Sequence, residues 1–165
     1  MGSPRSTRSG TPDTPEGFAR WVEPEVAAMG RLAARLGPIG DQDDIVQESL
    51  VRAWNKRHQY DPDRGSASAW LLAITADQAR HAARRRRPLL QRFDVAARSA
   101  SPEERVDIER AMARLPRRQR LAIDCYYFAG ISVRDTAAVM GCSEGTVKST
   151  LSDARRRLRE LLEVR

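Results

Sequence analysis

Cysteine is scarce in this chain: Cys125 and Cys142 are the only two among 165 residues. They make no CxxC pair, and both histidines, His58 and His81, lie far from them in sequence. That argues against a zinc site. Both cysteines read instead as small packing residues of a protein kept in a reducing cytoplasm. Long apolar runs are missing too, and none approaches the ~20 residues that span a membrane. The opening segment, MGSPRSTRSGTPDTPEG, has no hydrophobic signal core. Its Ser, Thr, Pro and Gly content predicts a disordered tail over residues 1–16. No phosphate-binding glycine loop, metal-ligand cluster or histidine–nucleophile pattern stands out. An enzyme is therefore not expected, nor is a cofactor or a metal.

Lysine is nearly absent as well. Of 29 basic residues only Lys56 and Lys148 are lysine. The formal charge is +7 and the pI about 10.4. Such an excess suits a polyanionic partner, for which nucleic acid is the usual choice. Arginine's planar fork also fits phosphate and guanine. A genome-wide compositional bias gives the same skew, so charge alone leaves a merely basic soluble protein equally open.

No stretch alternates with the β period and no internal repeat is visible, so the expected class is all-α, as two small helical domains on a tether. Residues 17–87 form a first helical block. Residues 88–104 form a linker, opened by Pro88 and closed by Ser101-Pro102-Glu103-Glu104, a good helix start. Residues 105–165 form a second block. In the first block Phe18, Val22, Val26, Met29 and Ala33 recur at helical spacing, ahead of a break at Gly37-Pro38 and Gly40. Pro24 leaves the start of that helix open. A second helix runs from Asp41 to about Trp54. Its buried stripe is Ile45, Val46, Leu50, Ala53 and Trp54, while Asp44, Gln47, Glu48 and Arg52 face solvent. A turn-prone stretch, residues 58–68, precedes a helix opened by Trp70. Its inner positions are Leu71, Leu72, Ile74, Ala79 and Ala82, and it ends in four arginines, 84–87. Those like charges repel each other, and a nearby polyanion would relieve the cost.

The second block carries the sharpest signal, VRDTAAVMGCSEGTVKSTL over residues 133–151. Ala137 falls where two helices must cross closely. Gly141 follows four residues later, where a turn needs positive φ, and Val147 six residues after that, on an inner face. Ser143 can cap the second helix. This is a helix-turn-helix whose second helix can enter a major groove. Upstream, Val106, Ile108, Met112 and Leu115 suggest one helix ending before Pro116. A second includes Leu121, Ile123, Tyr126, Tyr127 and Phe128. In the last helix Val147, Leu151, Ala154, Leu158, Leu161 and Leu162 form one face. Lys148, Ser149, Ser152, Arg155, Arg156 and Arg159 form the other.

Taken in order, these segments resemble an extracytoplasmic-function (ECF) sigma factor, a bacterial transcription initiation subunit. Asp41–Trp54 is similar to region 2.2, with its D-[LIV]-V-Q-E core and R-A-W ending. Tyr60–Leu72, YDPDRGSASAWLL, resembles region 2.3, and Ile74–Arg87 takes the place of region 2.4. Leu115–Leu162 resembles region 4. The resemblance implies an all-α fold of a region 2 bundle and a region 4 helix-turn-helix. It implies core RNA polymerase as a partner, through the β′ clamp helices and the β subunit, with Asp44, Gln47, Glu48 and Arg52 docking on it. Promoter DNA is the second partner, and an anti-sigma factor is a third that the family allows. Membrane insertion is not implied. Tyr60, Arg64, Ser66, Trp70, Asp77, Gln78, Arg80, Arg84 and Arg85 fall where the family binds and melts the −10 element. Ser143, Glu144, Thr146, Lys148, Ser149, Ser152, Arg155 and Arg156 fall where it reads the −35 element.

Two residues depart from the pattern. Asp77 stands where many relatives carry Asn, and Asp153 where many carry a basic residue. A carboxylate near DNA is repelled unless it accepts a bond from a base or pairs with arginine. Two other functions compete. One is a DNA-binding regulator of the response-regulator effector type, which shares the TVK-x-x-L pattern but leaves residues 41–87 unexplained. The other is a protein-interaction module that reads no DNA.

Overall fold

The computed structural model describes residues 11–63, 65–86 and 102–163, and every regular element among them is helical. Helix α1, Pro15–Leu36, starts where its local chemistry dictates: the Gly17 N–H donates to Thr14 Oγ1 at 3.1 Å, and Pro15 takes the first turn. Thr11 is buried, and its hydroxyl donates to the Arg57 carbonyl at 3.0 Å. Residues 11–16, expected to belong to a disordered tail, are thus in place; residues 1–10 lie outside the described residues. Pro24 sits inside α1 on an exposed position and does not end it.

Phe18, Val22, Met29, Leu32 and Ala33 line the inner face of α1. Val26, expected with them, is 38% exposed. At 3.6 residues per turn the stripe passes nearer Glu25 than Val26. The helix stops at Gly37, whose N–H returns to the Ala33 carbonyl at 2.8 Å. A Cβ there would collide with Ile45 Cδ1, so only glycine lets α2 approach this closely. Gly40, at φ +85°, completes the turn.

Helix α2 spans Gln42–Lys56 and α3 spans Ala67–Arg86, and both pack on α1 as a three-helix bundle. Ser49 is fully buried in α2, its hydroxyl donating to the Ile45 carbonyl at 2.6 Å. Thr75 of α3 does the same with Leu71 at 2.9 Å. Backbone carbonyls of the same helix thus satisfy polar side chains that a hydrophobic pattern overlooks. Leu50 and Trp54, expected as core, are partly buried against it.

Helix α4, Pro102–Ala113, begins inside the predicted linker; residues 88–101 lie outside the described residues. Helix α5, Arg117–Ile123, runs on into a wider π-turn, Asp124–Phe128, where the Ala129 N–H reaches the Asp124 carbonyl at 2.8 Å. Helices α6, Val133–Met140, and α7, Glu144–Glu163, complete the second block. Met112, Leu115, Ile123, Ala137, Val147 and Leu151 form its core. Leu162, expected on the inner face of α7, is 43% exposed near the helix end.

The two blocks also pack on each other. Helix α6 lies along α3, and the π-turn lies against α1. Cys125, Ala129, Ile131 and Val139 share a buried cluster with Met29, Leu72, Ala76 and Ala79. A picture of two domains linked only by a tether omits this apolar seam. The residues that make it are apolar, and in sequence they cannot be told from each block's own core.

Candidate nucleic-acid interface

The helix-turn-helix meets each steric demand read from its sequence. Ala137 is buried where α6 crosses α7, and Val147 is fully buried on the inner face of α7. Gly141 adopts φ 62°, ψ 43°, and the Cys142 N–H closes the turn on the Ala137 carbonyl at 3.0 Å. Ser143 caps α7: its Oγ accepts from the Thr146 N–H at 3.2 Å and lies 2.9 Å from Thr146 Oγ1. Two of the candidate DNA contacts therefore also build the helix start, which presents backbone N–H groups and a positive dipole end.

Along the outer face of α7, Glu144, Lys148, Ser149, Ser152, Arg155 and Arg156 are all exposed. They occupy the successive turns that would reach base edges first and phosphates later. Asp153 does not leave an isolated negative charge there, because Arg156 holds it at 2.8 Å. Asp77 on α3 is treated the same way by Arg80, at 2.6 Å. Both departures from the expected pattern are thus paired with arginine one turn later.

The 60–70 loop has a different construction. Tyr60 is 8% exposed, and its ring lies 5.4 Å from those of both Trp21 and Trp70. Its hydroxyl donates to the Gly65 carbonyl at 3.2 Å. Burial, then the nearby Asp61 carboxylate, raises the phenol's pKa. To stack on a base Tyr60 would have to leave this cluster. Ser66 opens α3 by accepting from the Ala69 N–H at 3.1 Å. Trp70 is partly buried, Gln78 and Arg80 are partly exposed, and Arg84 and Arg85 are exposed. Arg64 lies outside the described residues.

On α2, Asp44, Gln47, Glu48 and Arg52 all point outward, one polar face beside the exposed Val51. Glu48 meets Arg85 of α3 at 3.6 Å. Together with Asp41, Asp44, Ile45 and Ala82 these two line a shallow groove between the helices. The structure thus brings a candidate polymerase-docking carboxylate against a candidate DNA-binding arginine. Among the described residues no three His, Cys, Asp or Glu side chains are grouped to hold a metal.

Residues 16–88 match the family model for sigma-70 region 2, and residues 105–158 match that for sigma-70 region 4. The chain is 34% identical to the ECF RNA polymerase sigma factor SigM of Mycobacterium tuberculosis, over 81% of this chain and 69% of that protein. It is also 34% identical to the ECF sigma factor SigF of Caulobacter vibrioides, over 75% of this chain and 72% of that one. The chain belongs to the ECF RNA polymerase sigma factors. Among solved structures, CnrH in complex with the cytosolic domain of CnrY superposes with a TM-score of 0.67 at 30% identity. That match covers 95% of this chain and 92% of CnrH. The sigma factor RpoE in complex with the anti-sigma factor NepR, from Bartonella quintana, gives 0.63 at 31% identity, covering 89% and 97%. A response-regulator effector has no counterpart to the region 2 match, so that reading falls away. This sigma factor is a DNA-binding subunit of transcription initiation with an all-α, two-part fold.

One contact escaped the sequence reading of this sigma factor. Asp135, at the start of α6, accepts from Ser66 of the 60–70 loop at 3.2 Å. Ser132 caps α6 by accepting from the Asp135 N–H at 3.0 Å, but nothing local in the sequence signals a partner 69 residues away.

Proposed function

We propose that this sigma factor docks on core RNA polymerase through Asp44, Gln47, Glu48 and Arg52 of α2, and grips promoter DNA at two places. Residues 17–87 serve polymerase binding and the −10 element. Tyr60, Arg64, Ser66, Trp70, Asp77, Gln78, Arg80, Arg84 and Arg85 contact the strand that opens, Tyr60 by leaving its aromatic cluster. Residues 105–165 serve the −35 element through Ser143, Glu144, Thr146, Lys148, Ser149, Ser152, Arg155 and Arg156, and residues 88–104 link the two. Extruding a base costs a few kcal/mol, which loop contacts to its edge and face would recover.

The observation that carries this reading is an outward polar face on α2 and a basic outer face on α7 within one chain. The protein works without an active site of its own, in the cytoplasm. Among its described residues no helix is long and apolar enough to cross a membrane. Two solved relatives are held by CnrY and NepR, which supports an anti-sigma partner here.

The test is in vitro transcription with core polymerase on a set of genomic promoters. Discrete start sites that need this protein are expected. Gln47→Ala with Glu48→Ala should weaken core binding while leaving helical content intact. No binding to core polymerase would defeat the reading.

A further inference from the structure

Thr11 lies ahead of residues 16–88, the stretch that matches sigma-70 region 2, yet it is only 6% exposed. Its hydroxyl donates to the Arg57 carbonyl across 46 residues of chain. The same carbonyl accepts from the Tyr60 N–H at 3.2 Å. A carbonyl oxygen has two lone pairs, and this one takes both bonds. The segment before α1 and the start of the 60–70 loop thus meet on one atom.

Residues 11–14 fold back on the first turn of α1. A Cβ on Gly17 would lie 2.8 Å from Pro12 Cβ and 2.9 Å from Thr14 Oγ1, so glycine is what leaves room for that path. Asp13 then stands 3.7 Å from Arg57 Nε and 3.9 Å from His58 Nδ1. Asp13 and His58 are more than half exposed, so these charges add little. The buried Thr11 bond is the firmer hold.

Arg57 is fixed from its other side as well. Its Nη1 donates to the Trp54 carbonyl at 3.0 Å, and its guanidinium lies 3.9 Å over the Trp54 ring. From Trp54 the ring contacts run through Phe18 and Trp21 to Tyr60. Arg57–Gln59 is a single 3₁₀ turn between α2 and the loop. One such turn has few bonds of its own, so outside contacts set its direction.

To meet a base, the Tyr60 ring must leave its cluster. With the Arg57 carbonyl held by Thr11, the backbone beneath Tyr60 stays in place while the ring moves. A loop base fixed beforehand has no further freedom to lose at capture. We propose that residues 11–14 are a strap that positions the 60–70 loop for strand opening, with Thr11 as its positioning residue. The inference rests on the assignment of that loop to the −10 strand. No strap residue is among those assigned to polymerase or to the −35 element, so its effect falls on opening.

The test uses the full chain with core polymerase on a promoter located by the transcription assay above. Permanganate reactivity of unpaired thymines, followed in time, reads the opening rate. Thr11→Val removes the hydroxyl and keeps the shape. It should slow opening about fivefold, the worth of one net hydrogen bond, with core affinity and helical content unchanged. Thr11→Ser keeps the hydroxyl and loses a methyl group, and should open at close to the wild-type rate. A residue that only filled space would reverse that order. Gly17→Ala, which displaces Pro12 without touching Arg57, should slow opening too. Thr11→Val opening at the wild-type rate would overturn the strap and leave the sigma reading standing, as would Thr11→Ser slower than Thr11→Val. Wild-type protein that supports opening on no promoter would overturn both.

Discussion

Arg35 Nε lies 2.5 Å from Asp124 Oδ1, tying α1 to the π-turn across 89 residues of chain. Both side chains are about nine-tenths covered, at 10% and 9% exposure. Burial raises the Asp124 carboxyl above its ordinary value of 3.8, against the pull of Arg35. Burial also works against the charge on Arg35, but Asp124 and Glu109 outweigh it and raise the guanidinium's pKa. A carboxyl with a raised folded pKa binds its proton more tightly folded than unfolded. Its contribution is therefore complete below the unfolded value and is lost as pH rises through the folded one. Asp124→Asn does not titrate. Thermal unfolding between about pH 4 and pH 7 should show the wild type losing stability relative to this variant as pH rises. A wild type that gains on the variant over that range would mean that Arg35 outweighs burial at Asp124.

The two cysteines should behave differently toward thiol reagents. Cys125 is fully buried, and burial, followed by the neighbouring Asp124 charge, pushes its thiol up to about 12. The thiolate is the reactive form, so almost none exists at neutral pH. Cys142, at the helix-turn-helix turn, is only partly covered. A chromogenic disulfide should titrate one thiol per native chain and two in denaturant. Rapid native modification of both would contradict the packed seam around Cys125.

How much of this was legible in sequence depends on the range of the interaction. The helix-turn-helix was readable because Ala137, Gly141, Ser143 and Val147 answer steric and capping needs within a dozen residues. The outward face of α2 was readable for the same reason, since helical period alone sorts Asp44, Gln47 and Glu48 from Ile45 and Val46. Ser49 and Thr75 were missed because their burial depends on a hydroxyl bonding back to its own helix. The burial of Tyr60 was not readable either, because it follows from Trp21, far upstream. The seam was invisible because Ser66–Asp135, Arg31–Ala129 and Arg35–Asp124 each pair residues with no sequence pattern in common.

Gly141 and Gly37 should fail for different reasons when changed to alanine. A Cβ on Gly141 would meet nothing within 4 Å, but φ there is +62°. Gly141→Ala should therefore cost about 1 kcal/mol through backbone strain alone. Gly37 has ordinary φ, yet its Cβ would strike Ile45 Cδ1 and lie 2.8 Å from the Ala33 carbonyl oxygen. Gly37→Ala should cost about 2 kcal/mol through overpacking. Denaturant titration of both variants checks the order, and a costlier Gly141→Ala would refute it.

Thr136 offers a stabilising change. It is fully buried in α6, and its hydroxyl has no hydrogen-bond partner among the described residues. A buried hydroxyl without a partner costs desolvation energy. Valine has nearly the same shape, and α6 is already stabilised by packing. Thr136→Val should raise stability by about 1 kcal/mol and move the denaturant midpoint upward with an unchanged slope. A loss of stability would mean that the hydroxyl is satisfied by bound water.

The pairing of Asp153 with Arg156 makes a prediction about DNA that their chemistry alone decides. Both side chains are well exposed, so the 2.8 Å ion pair adds little to folding. Its effect is instead to occupy an arginine on the face proposed to meet phosphate. Asp153→Ala frees Arg156 and removes a negative charge from that face. Binding to a duplex carrying the −35 element should tighten, and the slope of log affinity against log salt should steepen by about 0.9, the value of one added phosphate contact. Lys148→Ala should reduce the slope by about the same amount. If about six phosphates are engaged in all, affinity should fall roughly 10³-fold between about 50 and 200 mM salt. An Asp153→Ala variant that binds no more tightly, with its slope unchanged, would show that the carboxylate sits away from the DNA or accepts a bond from it.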